Sequence, residues 1–297
     1  SNIYCAAMKI GIDSYTYHRY FGELCPGETK VEQEWTTWDF LDRVAELKVD
    51  GVALQTCFLN LDDPIFRRNL RHRLDDLNIE LVISWGHPYG LEMGQSKDAI
   101  NDLIRTLSYA QELRPQTIRI VIGHQRYWKQ EPEPEIINRL TPIISNIASI
   151  ANKQGLAIAI ENHCEMTIYS FIQLIETLQI PNVGVTLDTA NIIRVGADLI
   201  NSCKVLAPKS QLVHMKDLIL HEASLGNPSG WWPCAPLGEG DLDLDGVLKI
   251  LNSYGYDGLI CIEMGDMHPD YNNEDRAAQD SVNYLRKYMS RQFDNSI

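Results

Sequence analysis

Leu156-Ala-Ile-Ala-Ile-Glu161 is a short apolar run that closes on a carboxylate. The pattern returns in Val183-Gly-Val-Thr-Leu-Asp188, Gln211-Leu-Val-His214 and Gly258-Leu-Ile-Cys-Ile-Glu263. Runs of this kind, with helical stretches between them, read as parallel strands covered on both faces. Ligands of such sheets gather at the carboxyl ends of the strands, where Glu161, Asp188, His214 and Glu263 stand. Three carboxylates and one imidazole converging there form a donor set for one divalent cation. Oxygen-rich ligation with a single nitrogen suits Mn²⁺ or Mg²⁺ and tolerates Co²⁺ or Zn²⁺.

Four further strand candidates precede these: Lys9–Asp13, Gly51–Gln55, Glu80–Ser84 and Thr117–Gly123. Residues 134–154 carry Ile136, Ile137, Leu140, Ile143, Ile144, Ile147, Ala148 and Ala151 at helical spacing. Residues 98–113 repeat it, and Leu41, Val44, Ala45 and Lys48 mark a helix before the second strand. Weaker helical patterns fill 64–78, 170–179, 197–207, 245–254 and 274–290. Eight strands alternating with eight helices predict an α/β protein, a single (β/α)8 TIM barrel over residues 8–290. The rival is an open doubly wound sheet. No G-x-G-x-x-G follows the first strand, and ligands on the last four strands converge only when the sheet closes. Residues 1–7 read as a leader, an expression remnant or a disordered start, and 291–297 as a tail.

The chain has 297 residues and a formal charge of −14, from 40 acidic and 26 basic side chains. That balance repels polyanions, and no Lys/Arg cluster offsets it, so nucleic acid is not an expected partner. No apolar stretch approaches the roughly 20 residues of a membrane span. Seven cysteines, an odd number without a C-x-x-C pair, fit reduced thiols and a cytoplasmic location.

Two connections are long. One follows the first strand and carries Tyr15, Tyr17, His18, Tyr20 and Phe21; the other runs from about residue 217 to 242 and carries Trp231 and Trp232. Aromatic loops over a barrel mouth either wall a polyol site, with Trp232 as a substrate contact, or bury themselves. His163 and Lys216 lie two residues beyond ligands and share their barrel side if the strands continue. Both are candidate substrate contacts, as are His87 and His124 at the ends of strands three and four. His18, His72, His221 and His268 read as surface or loop residues.

Ile160-Glu161-Asn-His163, Leu187-Asp188-Thr-Ala-Asn191-Ile-Ile-Arg194-Val-Gly196, His214-Met-Lys216-Asp217, Gly238-Glu-Gly240-Asp-Leu-Asp243 and Gly255-Tyr-Asp-Gly258 through Glu263 resemble the sugar phosphate isomerase/epimerase family of xylose-isomerase-like TIM barrels. The resemblance covers roughly Met8 to Tyr288. It implies a manganese-type site on Glu161, Asp188, His214 and Glu263, with Glu161 and Glu263 doubling as acid and base. The implied reaction is isomerisation or epimerisation of a ketose or related polyol through a metal-stabilised enediolate. Because ligation lowers a carboxylate's basicity, a base outside the ligand set competes with the glutamates. Dehydration of an inosose- or dehydroshikimate-like compound begins with the same proton abstraction and is the alternative. More remote are an endonuclease IV-like repair enzyme and a barrel that binds sugar without turnover. Asp188-Thr-Ala-Asn191 departs from the Asp-x-x-His of endonuclease IV. The expected ligand is a sugar or cyclitol, with a weak preference for a neutral one, since no glycine-rich phosphate loop stands out. A homo-oligomer is expected only from habits of the resembling family.

Overall fold

The computed structural model describes residues 7–124, 131–220 and 232–294, without the side chains of 292–294. The sequence readings at 1–6, at His221 and Trp231, and at 295–297 lie outside the described residues. Seven strands appear in chain order: β1 (Lys9–Asp13), β2 (Gly51–Gln55), β3 (Glu80–Ser84), β4 (Thr117–Ile120), β5 (Ile158–Glu161), β6 (Val183–Asp188) and β7 (Ser210–Met215). A closing strand, Leu259–Ile262, pairs in parallel with both β7 and β1, and every neighbouring pair is parallel. The sheet is therefore a closed eight-stranded barrel.

Strand parity splits the core in two. Ile10, Ile12, Val52, Leu54, Ile118, Ile120, Ile158, Ile160, Ile260 and Ile262 join a large cluster with the surrounding helices. Ala53, Val82, Leu212, Leu259 and Cys261 form a small separate cluster inside the barrel. Gly11 stands opposite Cys261, and a Cβ there would meet its sulfur at 2.8 Å. The next inward position along each strand is polar. Asp13, Gln55, Ser84, Arg119, Glu161, Asp188, His214 and Glu263 thus make one layer at the carboxyl end, all buried.

The helices are α1 (Thr37–Leu47), α2 (Pro64–Leu77), α3 (Lys97–Leu113), α4 (Glu133–Lys153), α5 (Ile168–Leu178), α6 (Thr189–Arg194), α7 (Leu199–Leu206), α8 (Leu244–Ser253) and α9 (Glu274–Asp294). Their starts follow local chemistry. Thr36 and Asp39 form a capping box on α1, and Asp63, Ser96, Thr167 and Asp198 cap α2, α3, α5 and α7. Helix α6 was not anticipated; Asp188 starts it by accepting from Asn191 N at 3.0 Å. Helix α9 continues through 291–294, which the sequence had assigned to a tail.

Strand β4 is shorter than expected. Beyond Ile120, the carbonyls of Val121 and Ile122 accept from Leu91 N and Met93 N at 3.1 and 2.9 Å, so the chain leaves the sheet for a turn. After β1 a 3₁₀ helix, Ser14–Phe21, buries Tyr17 against Trp35 and Phe40, while Tyr15 lines the mouth. The aromatics of this connection therefore divide between wall and core. His18 is not a surface residue: it is 1% exposed.

After β7, Asp217–Leu218 pairs antiparallel with Cys234–Ala235. Asp217 accepts from the backbone amides of Leu218, Gly238, Gly240 and Leu242 at 3.0–3.1 Å. Its oxygen lies 2.2 Å from where a Cβ on Gly240 would stand, so only glycine fits. No helix among the described residues is long and apolar enough to cross a membrane.

Candidate active site

Glu161, Asp188 and His214 occupy inward positions of β5, β6 and β7, and Glu263 follows the closing strand. One donor atom from each lies within 4.8 Å of the other three. His214 Nδ1 contacts a Glu161 oxygen and lies 3.1 Å from Glu263 Oε2, while its Nε2 is 3.4 Å from Asp13 Oδ2. Neither ring nitrogen has a hydrogen-bond partner despite full burial. Buried polar atoms are normally paired, so a nitrogen pressed between carboxylates without hydrogen-bond geometry fits a ligand better than a donor. The donor set, three oxygens and one nitrogen, matches what a divalent cation takes.

Lys216 Nζ sits between two of these groups, 2.7 Å from Asp188 Oδ2 and 2.6 Å from Glu263 Oε1. Asn162 secures the ends of β5 and β6. Its Oδ1 accepts from Asp188 N at 2.8 Å, and its Nδ2 donates to Asp188 O at 3.0 Å.

Charge sets the protonation of the cluster. Burial pushes the Glu161 carboxyl up, but Arg119 and His214 hold it well below the usual range. Burial likewise opposes ionisation of Glu263, and His214 and Lys216 bring it down. His214 is lowered by burial and raised more strongly by Glu263 and Glu161, to about 9. Asp13 is pushed up by burial and then by Glu263. Both glutamates are therefore ionised at neutral pH and able to accept a proton.

A cavity of about 600 Å³ opens above the layer. His87, His124, His163 and Lys216 line it, whereas Trp232 is not among its lining residues. Trp232 packs on Ala190, Leu218 and Cys234, and its carbonyl accepts from Arg194 Nη2 at 3.4 Å.

His163 Nε2 lies 4.0 Å from Glu161 Oε2 and its Nδ1 3.4 Å from Glu165 Oε2. Glu165 is fully buried, and neither carboxylate oxygen is hydrogen-bonded. Three participants escaped the sequence reading: Asp13, Arg119 and Glu165. Asp13 ends its own apolar run just as Glu161 does, so the same signal could have found it. Arg119 stands inside an apolar run and meets Glu161 at 3.4 Å. Glu165 carries no sequence signal beyond its nearness to His163.

A family model described as the xylose isomerase-like TIM barrel matches residues 41–288. The chain belongs to this family. An inosose isomerase from Halalkalibacterium halodurans is 26% identical over 157 residues, covering 51% of this chain and 52% of the relative. The chain spans about half the length of the curated relatives it matches. Among solved structures, an L-ribulose 3-epimerase superposes with a TM-score of 0.74 at 17% identity, covering 97% of each chain. The IOLI protein with a bound zinc atom gives 0.70 at 18% identity, covering 96% of this chain and 99% of that one. At these identities the structural likeness establishes the fold.

Proposed function

We propose that this protein is a divalent-metal-dependent isomerase or epimerase of a neutral ketose or cyclitol. The observation that carries the reading is the His214 ring, buried without hydrogen bonds among Glu161, Asp188 and Glu263 at the floor of the cavity. Glu161, Asp188, His214 and Glu263 would hold the ion, with Mn²⁺ the preferred occupant for an oxygen-rich set. A cation there supplies positive charge against the oxygens of an enediolate.

The protein's own residues do the rest. Glu263, an ionised carboxylate lining the cavity, would remove the proton beside the carbonyl and later release it to solvent, while Glu161 would deliver a proton that it has first taken up from solvent. Return to the same carbon from the opposite face inverts it; return to the neighbouring carbon isomerises. Lys216 holds Glu263 and Asp188 in place and offers N–H to a substrate oxygen. His163, within 4.0 Å of Glu161, orients a hydroxyl, with His87 and His124 further out. The lining holds three carboxylates (Glu23, Glu263, Asp266) against three cations (Arg119, Arg194, Lys216). Among the described residues, the side chains lining the cavity offer no excess positive charge to a phosphate, which supports an uncharged polyol. The similarity to inosose isomerase makes cyclitols the first compounds to try.

The test is solvent exchange. Mn²⁺-loaded protein in D₂O is given ketoses and inososes, and products are read by NMR and mass. Deuterium entering an α-carbon, and lost in Glu263→Gln, is the expected result. Loss of water instead would move the reading to a dehydratase. No exchange in the panel, with metal bound, would overturn it.

A further inference from the structure

A second cluster of metal-binding side chains lies at the rim of the cavity, on the connection after β1. The 3₁₀ helix Ser14–Phe21 ends at Gly22, whose φ of 86° turns the chain back. Glu23 N then donates to His18 O at 3.0 Å, and Glu28 N to Cys25 O at 3.0 Å. The fold-back places Cys25 and Glu28 over the buried His18 ring, and the donor atoms of the three lie within 4.8 Å of one another.

The imidazole is preset. His18 Nδ1 faces the carbonyl of Tyr15 at 2.9 Å, and a carbonyl only accepts, so Nδ1 carries the hydrogen. Nε2 is thereby turned toward Glu28 Oε1 at 2.7 Å and Cys25 Sγ at 4.0 Å. A histidine whose far nitrogen is fixed by a carbonyl is the usual arrangement of a metal ligand. Tetrahedral ligands bonded at about 2.0–2.3 Å stand roughly 3.3–3.8 Å apart, and the two distances bracket that spacing. Within the trio, Cys25 N donates to Glu28 Oε1 at 2.7 Å, and from outside it Tyr15 stacks on the His18 ring with centroids 4.8 Å apart.

We propose that His18, Cys25 and Glu28 form a zinc site distinct from the one at the barrel floor. One nitrogen, one sulfur and one carboxylate oxygen select zinc over magnesium or calcium. Binding releases the thiol proton to solvent as the sulfur coordinates. Three protein ligands leave a fourth position, and Cys25 lines the cavity beside Tyr15 and Glu23. The ion would tie the 3₁₀ helix to the turn that follows it and so fix one wall of the cavity.

Sulfur separates the two sites, since the floor set contains none. The full chain, stripped with chelator and dialysed, is titrated with Co²⁺. Cobalt added to saturation of both sets should give a near-ultraviolet sulfur-to-cobalt charge-transfer band, bleached by Zn²⁺, lost in Cys25→Ser and kept in Glu263→Gln. Glu28→Gln should weaken that binding by about tenfold or more. Cobalt bound to saturation without the band, or a band surviving Cys25→Ser, overturns the proposal. Should Cys25→Ser fail to fold by near-ultraviolet circular dichroism, unchanged cobalt affinity in Glu28→Gln overturns it instead. A band with no floor-site binding would uphold this site while removing the proposed enzyme function.

Discussion

Strands β1–β4 close on Asp13, Gln55, Ser84 and Arg119, and the four that follow close on Glu161, Asp188, His214 and Glu263. In the first half, hydrogen bonds satisfy the key carboxylate. Asp13 accepts from Tyr15 N, Gln55 Nε2 and Ser84 Oγ at 2.8–3.0 Å. In the second half, both nitrogens of His214 are left without hydrogen bonds among carboxylates. In the first half the central carboxylate is fully hydrogen-bonded; in the second, Asp188 and Glu161 are paired with Lys216 and Arg119, but the imidazole between the carboxylates is not. Polar layers that look alike in sequence thus divide into a supporting half and a half whose four donors gather within 4.8 Å, the proposed coordinating half. The difference lies in what each group already holds.

The sharpest test of that division acts on the coordinating half. Glu263→Gln keeps the shape but removes the proton acceptor, and exchange into substrate should fall about 10²–10⁴-fold. Arg119→Met strikes the bond between halves. It strips Glu161 of a buried cation 3.4 Å away, and chemical denaturation should show a loss of about 3–5 kcal/mol. An unchanged midpoint would mean that Glu161 does not depend on the supporting half. Asp13→Asn, within the supporting half, should weaken metal affinity about 10–100-fold, read by calorimetry, because it acts only through His214. A loss as complete as that of His214→Ala would make Asp13 a ligand and erase the distinction. Gly240→Ala lies outside both halves. It should lower stability by about 1–3 kcal/mol through overlap with Asp217, with metal affinity unchanged.

The barrel and the cluster of Glu161, Asp188, His214 and Glu263 were legible because each rests on short-range pattern. Buried parallel strands read as apolar runs, and a charged residue closing such a run stands out against them. What the sequence could not convey is contact across the barrel. Asp13 has the same local signature as Glu161, yet only the closed sheet brings it to within 3.4 Å of His214. Arg119, between two isoleucines, gains meaning only from the inward parity of β4. The end of β4 was misread because Val121 and Ile122 are apolar enough for a strand, while their carbonyls are taken by the Leu91–Met93 turn. Trp232 was misplaced because an aromatic loop residue fits a sugar wall and a small apolar seat equally well, and packing decided for the seat.

Asp217 gives the connection after β7 a property of its own. Ile219 N donates to Pro233 O at 3.0 Å, so the chain leaves and re-enters side by side. Asp217 then holds the return through Gly238, Gly240 and Leu242. One buried carboxylate thus works as a clasp, locking the exit of β7 to the return of the chain directly beside Lys216.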